Sequence, residues 1–502
     1  MQDTAIQKPK KKPFLPPAFV RAMLAGHSAL GIAFAALIYI VCLSGTLAVF
    51  LHELYRWEQP DAPVVSQPLS ADAVQTAVES AYRKALAANA AHDIVVMGPS
   101  PIHERVLIDF HDHDTGVDGH WLGDANGTPV VAQRMPWSAF VADLHMQLHL
   151  PRTWGMFLVG LTGVALLSSL ISGLLSHPRL FKDAFHLRWG GARRLEQADL
   201  HNRLGVWGLP FHVVVSTTGA LLGLSTLIVG VLALAAYDGD SERAFADILG
   251  PMPTEDETAA PVPDVAAMIR KVQSTHPDAV FSSVVIQHIA KAGQVVSVGM
   301  RTPGHLAMGN SYFFDGTGKS LGDGGLETGS IGQQILGALQ PLHFGWFGGF
   351  AVKVAYGLLG LAMTVVTATG ITIWLARRRT AGRPAPRWEK VWSGVMWGQP
   401  LAIVAAALGV FLAGEALALP VYLALTVFAV GGALLAPDSI SAGRVLRLLS
   451  GIGLLAVVGL HGSAWAGHIT DPMAYAVSAA MAICGLALLA SGVVPAVSRK
   501  AA

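Results

Sequence analysis

Uncharged stretches long enough to cross a bilayer recur along this 502-residue chain, separated by polar segments. A hydrocarbon core of about 30 Å needs roughly 20 apolar residues in a helix. Runs 28–51, 153–176, 204–237, 354–376, 395–414, 416–436, 448–467 and 473–497 meet that test and predict eight transmembrane helices. The first run is too long for a signal peptide and no small-residue cleavage site follows it, so it reads as a retained span. Two long polar connections, 54–136 and 238–334, carry patterns of their own. The first offers a helical stretch at 70–90, strand-like "DIVVM" and "RVLIDF", and a hairpin-like turn in "GDANGTPVV". The second offers helical "VPDVAAMIRKVQSTHP", then "FSSVVIQHI", "QVVSVGM" and "YFFDGTGKSL". Each predicts a small α+β module, one helix before a few antiparallel strands.

The pattern therefore predicts a mainly α-helical membrane protein with two α+β modules. Its parts are a basic tail (1–21), a first span (22–53), module one (54–136), and an interfacial helix with the second span (137–176). A loop (177–198), a third span (199–237), module two (238–334), a fourth span (335–376) and a loop (377–394) follow. Residues 395–502 supply four additional spans and the tail.

Composition agrees. The chain is 52% hydrophobic and 13% charged, against about 25% charged for soluble proteins. A net charge of +1 gives no reason to expect nucleic acid. Cys42 and Cys484 lie in apolar runs and exclude a disulfide framework, so any metal site must use histidine or carboxylate. The 19 histidines are many for so apolar a chain.

Basic residues set the expected orientation. Lys8, Lys10, Lys11, Lys12 and Arg21 precede the first span; Arg179, Lys182, Arg188, Arg193 and Arg194 fill one short loop. Arg377, Arg378, Arg379, Arg383, Arg387 and Lys390 fill the next; Arg444, Arg447, Arg499 and Lys500 continue the alternation. All fall on one side, which predicts a bacterial inner-membrane protein with both termini cytoplasmic and both modules periplasmic.

The pattern also repeats. Span one reads "HSALG" (27–31) and "SGTL" (44–47); span three reads "HNRLG" (201–205) and "TGAL" (218–221) at the same spacing. Span two opens with "LHMQLH" (144–149) and closes with "SLISG" (169–173); span four opens with "LHFGWF" (342–347) and closes with "TATG" (367–370). Span, module, span thus occurs twice, an internal duplication. No G-x-G-x-x-G follows a strand, and the short loops are about twenty residues, so no nicotinamide- or flavin-binding domain is expected.

With "LHMQLHLPRTWG", "DLHNRLGVWGLPFH" and "LHFGWFGGF" flanking such modules, the chain resembles the PepSY-associated transmembrane family over about residues 20–380. That family includes inner-membrane ferric-siderophore reductases. The resemblance implies b-type haem bound by membrane histidines and reduction of a periplasmic substrate.

His27 and His201 begin spans one and three on the cytoplasmic side; His145 and His343 begin spans two and four on the periplasmic side. Two layers result, each with one histidine from each repeat, and a pair of neutral imidazoles suits six-coordinate haem. The expected axial ligands of two haems are His27 with His201 and His145 with His343. His149, one turn beyond His145, is an alternative ligand or a partner for a propionate. His212 is expected to pack in the span or to hydrogen-bond a ligand. Arg21, Arg203, Arg188 and Arg194 are propionate candidates that equally satisfy the positive-inside pattern. Gly31, Gly45, Gly205 and Gly219 serve either close helix packing or room for a flat porphyrin. His103, His111, His113 and His120 resemble a metal cluster but read as a solvated, Asp-rich loop, and His461 and His468 as water-facing. His52 has no counterpart in the repeat.

The expected function is transfer of electrons from quinol or a separate reductase, across the bilayer, to a ferric siderophore or other ferric chelate. A membrane-anchored binding protein and an iron or siderophore transporter are the alternatives. Eight spans exceed what an anchor needs, and the last four carry Glu415 and Asp471 only at their ends.

Overall fold

The computed structural model describes residues 15–113, 115–177, 185 and 193–493. The protein is mostly helical, with one antiparallel sheet. Among the described residues, six helices are long and apolar enough to cross a membrane, or up to eight if each of two bent pairs forms one span.

The first bent pair is α1 (Pro17–Ala33) and α2 (Ala35–Ala48), which meet at 70°. It is followed by α3 (Leu51–Glu58), α4 (Ala71–Ala87) and strands β1 (Asp93–Met97), β2 (Val106–His111), β3 (Asp118–Gly123) and β4 (Pro129–Ala132). Then come α5 (Pro136–Met146) and the long α6 (Arg152–Ser176). The second bent pair is α7 (Arg193–Trp207) and α8 (Leu209–Gly223), meeting at 69°. Two short helices follow, α9 (Ser225–Ala236), which starts at the position in the repeat that α3 takes in the first half, and α10 (Ser241–Leu249). Next are α11 (Val265–Thr275), β5 (Val280–Gln287), β6 (Val295–Arg301), β7 (Asn310–Asp315), β8 (Ser320–Asp323), α12 (Ile331–Phe344) and α13 (Gly349–Thr380). The chain continues through α14 (Pro386–Ala413), a short 3₁₀ turn, α15 (Ala418–Leu435), α16 (Ser439–Ala464) and α17 (Met473–Val493).

Spans one and three were expected to be continuous, and both are broken. Pro210 explains the second break: it has no N–H to return to the carbonyl of Val206. The straight spans hold small polar residues without leaving donors in lipid. Thr162 donates to Leu158 O (2.8 Å) and Ser172 to Ser168 O (2.7 Å), the usual back-bond of hydroxyls in membrane helices.

The two modules were expected to be separate units. Instead their strands form one eight-stranded sheet, ordered β4-β3-β2-β1-β5-β6-β7-β8. The join is antiparallel, with Ile94 opposite Ile286 and Val96 opposite Val284. Alternation puts Ile94, Val96, Ile108, Phe110, Val284, Ile286, Val296 and Val298 on one buried face. Helices α4 and α11 cover that face through Val74, Ala77, Val78, Met268 and Ile269. Each helix is capped at its start, by Ser70 on Ala73 N (3.2 Å) and Asp264 on Ala267 N (2.8 Å). Gln75 of α4 also accepts from Val265 N at 2.8 Å, which locks the two helices together. An open sheet cannot lie in hydrocarbon, so it marks the extramembrane end of the molecule.

Buried ion pairs join the sheet to the helices. Arg56 forks onto Asp471 (Nε–Oδ2 2.7 Å, Nη2–Oδ1 2.8 Å) and reaches Glu104 (2.6 Å). Arg105 lies 3.3 Å from the same Asp471. Lys353 of α13 pairs with Glu53 of α3 at 2.6 Å. His461, expected to face water, is buried and stacked on Trp57 (4.3 Å between centroids, 15°), with Nε2 2.6 Å from Trp57 O. The pattern shows only that His461 sits at a span end; the neighbour that covers it, α3, lies some four hundred residues earlier in the chain.

Candidate functional site: two facing histidine pairs

Four span-end histidines meet in two pairs. His27 of α1 faces His201 of α7 with ring centroids 6.3 Å apart. His145 of α5 faces His343 of α12 at 6.1 Å. Two metal–nitrogen bonds of about 2 Å each, plus about 1 Å from each coordinating nitrogen to its ring centre, give roughly 6 Å. The spacing in both pairs therefore suits a metal held between two imidazoles. The planes cross at 74° in one pair and 19° in the other.

Each imidazole is held from behind. His27 Nδ1 lies 2.9 Å from Ser169 O, His145 Nδ1 3.0 Å from Val41 O, and His201 Nδ1 3.0 Å from Val366 O. His343 Nδ1 lies 3.0 Å from Thr218 Oγ1, whose own hydrogen donates to Val214 O. A carbonyl accepts and does not donate, so Nδ1 carries the proton and Nε2 keeps its lone pair. No Nε2 of the four has a protein hydrogen-bond partner among the described residues. That is the arrangement metal-ligating histidines show, with the other ring nitrogen donating to a carbonyl.

A glycine lies under every ring. A Cβ at Gly45 would come within 2.6 Å of His145 Cε1, and one at Gly219 within 2.8 Å of His343 Cε1. At Gly173 it would meet His27 at 3.1 Å and at Gly370 His201 at 3.5 Å. In three cases the histidine bonds the carbonyl four residues before its glycine: Val41 with Gly45, Ser169 with Gly173, Val366 with Gly370. The ring thus lies along one bare helical turn. Gly31 and Gly205 behave differently: a Cβ on either would meet nothing within 4 Å, and both line the cavity beside His27 and His201. Gly163 and Gly360 are sites of helix packing, against Ala220 and Thr46.

Each pair borders a cavity, of about 360 Å³ at His27–His201 and about 380 Å³ at His145–His343. Both are within the range of ligand pockets. Helix α6 lines both, with Met156 at one end and Gly173 at the other; at about 1.5 Å per residue these are some 25 Å apart. The pair His145–His343 is at the sheet end. Arg377 lies at the first cavity and Arg152 at the second, both exposed cations at apolar pockets.

Other sequence candidates fall elsewhere. His149 bonds Phe140 O (3.0 Å) and stacks on Phe140, away from His343. His212 is buried beside Gly208 and lines neither cavity. Arg21 and Arg203 line neither cavity; Arg203 stacks on Trp207 at 5.0 Å. Arg188 and the side chain of Arg194 lie outside the described residues. The cations that do border the cavities are Arg152 and Arg377. Arg377 is one of six basic residues in a single loop, and no pattern in the sequence distinguishes Arg152.

The bent spans, the sheet and the paired histidines define a multi-pass membrane protein with two internal ligand-sized cavities. The PepSY-associated TM region family matches residues 24–377, and the chain belongs to that family. A relative in Pseudomonas aeruginosa, described as an uncharacterized protein, is 30% identical over 348 residues. The alignment covers 66% of this chain and 88% of the relative. Helices α14 to α17 lie beyond the family match.

Proposed function

We propose that the protein is a haem b-containing oxidoreductase of the bacterial inner membrane, which moves electrons across the bilayer to reduce a ferric siderophore or other ferric chelate on the sheet side. The observation that carries this reading is the pair of facing imidazoles at each cavity, with every Nδ1 bonded and every Nε2 free. That donor set fits haem b: neutral imidazoles about 6 Å apart, glycines opening the wall at Gly31 and Gly205, and a cation at each cavity for a propionate. Bound haem supplies reversible one-electron exchange between Fe(III) and Fe(II).

The chain's own work is to hold and shield. Ser169, Val41, Val366 and Thr218 fix the histidine tautomers. The apolar walls, including Leu166, Val215 and Met363, keep water from the rings. Arg377 and Arg152 anchor the carboxylates at opposite ends. Each quinol donor releases two electrons and two protons, so two ferric chelates are reduced per quinol. A separate reductase is the other candidate donor. The basic loops support an orientation with the His27–His201 end and both termini in the cytoplasm and the sheet in the periplasm, where in this reading the two PepSY-like modules receive the chelate.

Stopped-flow spectroscopy tests the proposal. Purified protein, reduced with dithionite, is mixed with ferric chelates. The α band is expected to decay in a chelate-dependent way while ferrous iron appears in equal amount. A reduced spectrum that persists in every ferric chelate tried contradicts reductase activity.

A further inference from the structure

A second cluster of metal-ligand chemistry lies far from the histidine pairs, on the sheet. His111 and His120 were read as parts of a solvated loop, but they stand on strands β2 and β3. Asp109 is directly opposite His120 in the antiparallel ladder, and His111 is two residues along from Asp109. Period-two alternation puts all three on one face. The opposite face of β2 holds Ile108 and Phe110 in the core. One ligand atom from each of Asp109, His111 and His120 lies within 4.8 Å of the others.

We propose that Asp109, His111 and His120 form a binding site for a divalent first-row transition-metal ion. Three features carry it. Two imidazoles and one carboxylate form a donor set suited to such ions and poorly suited to magnesium or calcium. Asp109 is buried, and its Oδ1 lies 3.2 Å from His120 Nδ1, so the carboxylate and that imidazole already meet. A buried carboxylate is costly unless its charge is compensated, and a metal cation held with the imidazoles supplies that compensation. Finally, His111 Nδ1 lies 3.3 Å from Asp118 Oδ1. That contact orients the ring and leaves Nε2 for a metal, the carboxylate–histidine–metal arrangement. Asp93, opposite His111 on β1, adds a further negative charge beside the site. The inference does not depend on haem binding, since none of these residues touches either cavity.

Isothermal titration of chelator-treated, full-length protein with Zn²⁺, and separately with Mg²⁺, tests the site. Zn²⁺ is expected to bind, with Mg²⁺ giving no comparable heat. His111→Ala/His120→Ala is expected to remove one Zn²⁺ equivalent or weaken it at least tenfold, and Asp118→Asn to weaken it about tenfold. His113→Ala, at an exposed histidine outside the three, is expected to leave it unchanged. Thermal midpoints give a second readout that reports folding as well: Zn²⁺ should raise that of the native chain and of His113→Ala more than that of His120→Asn. Equal Zn²⁺ stoichiometry and affinity in the native and double-variant proteins, or an equal thermal shift in His120→Asn, overturns the proposal.

Discussion

His145 and Gly45 illustrate how single residues make the candidate site. The ring occupies the space that any side chain at position 45 would fill. Gly45→Ala is therefore expected to displace His145 and, if each pair holds one haem as proposed, to remove about half of the α-band absorbance. Gly230→Ala, where a Cβ meets nothing within 4 Å, should leave the spectrum intact; equal spectra in both variants would refute the seating role. The repeat made His145 legible and ranked it above His149, since only His145 has a counterpart in the second half. The glycine seats could not be assigned beforehand, because spacing along one helix does not reveal which ring lies on it. His103 offers a test of a different kind. It is buried with both ring nitrogens unpartnered. Burial, then the nearby Arg105, Arg56 and Lys353, depress its pKa from 6.5 to about 3. The unfolded chain binds a proton there between those values and the folded chain does not. Stability is thus fully present above pH 6.5 and is lost as pH falls, by about 1.4 kcal/mol per unit. Thermal midpoints at pH 7 and pH 5 should fall further apart for the native chain than for His103→Phe; identical differences would contradict this.

Among the elements, hydropathy located the spans, and alternation located strands β1, β2, β5, β6 and β7. Direction was not legible. The bends between α1 and α2 and between α7 and α8 leave the hydropathy unchanged, and only Pro210 hinted at the second. The β1–β5 join was hidden as well, because each module's strands read as complete alone. The junction between sheet and spans depends on Asp471, which the pattern places only at a span end, yet it is fully buried between Arg56 and Arg105. Removing one partner from a buried ion network typically costs about 3–5 kcal/mol. Asp471→Ala should therefore lower the thermal midpoint by several degrees, whereas Glu415→Ala, at an exposed span end, should not. A midpoint unchanged by Asp471→Ala would mean that the junction adds no stability.

At the scale of the whole molecule, the helices beyond the family match act as a buttress. Trp137 of α5 donates to Ile403 O of α14 at 3.1 Å, and Phe140 packs on Tyr422 of α15. Glu58 of α3 accepts from Trp137 N and Ser138 N (both 2.8 Å) at the first turn of α5. The helix that carries His145 in its last turn is thus fixed at its start, on one side by α3 and on the other by the extra spans. Their sequence showed only that they cross the membrane, since contacts between distant spans leave no periodic trace. The central claim is that each facing pair holds one haem. Pyridine haemochrome analysis of purified protein measures this directly. Two b-type haems per chain are expected, falling to about one in His27→Ala or His201→Ala and to about one in His145→Ala or His343→Ala. A native protein without haem, or a haem content unchanged in all four variants, would contradict the claim.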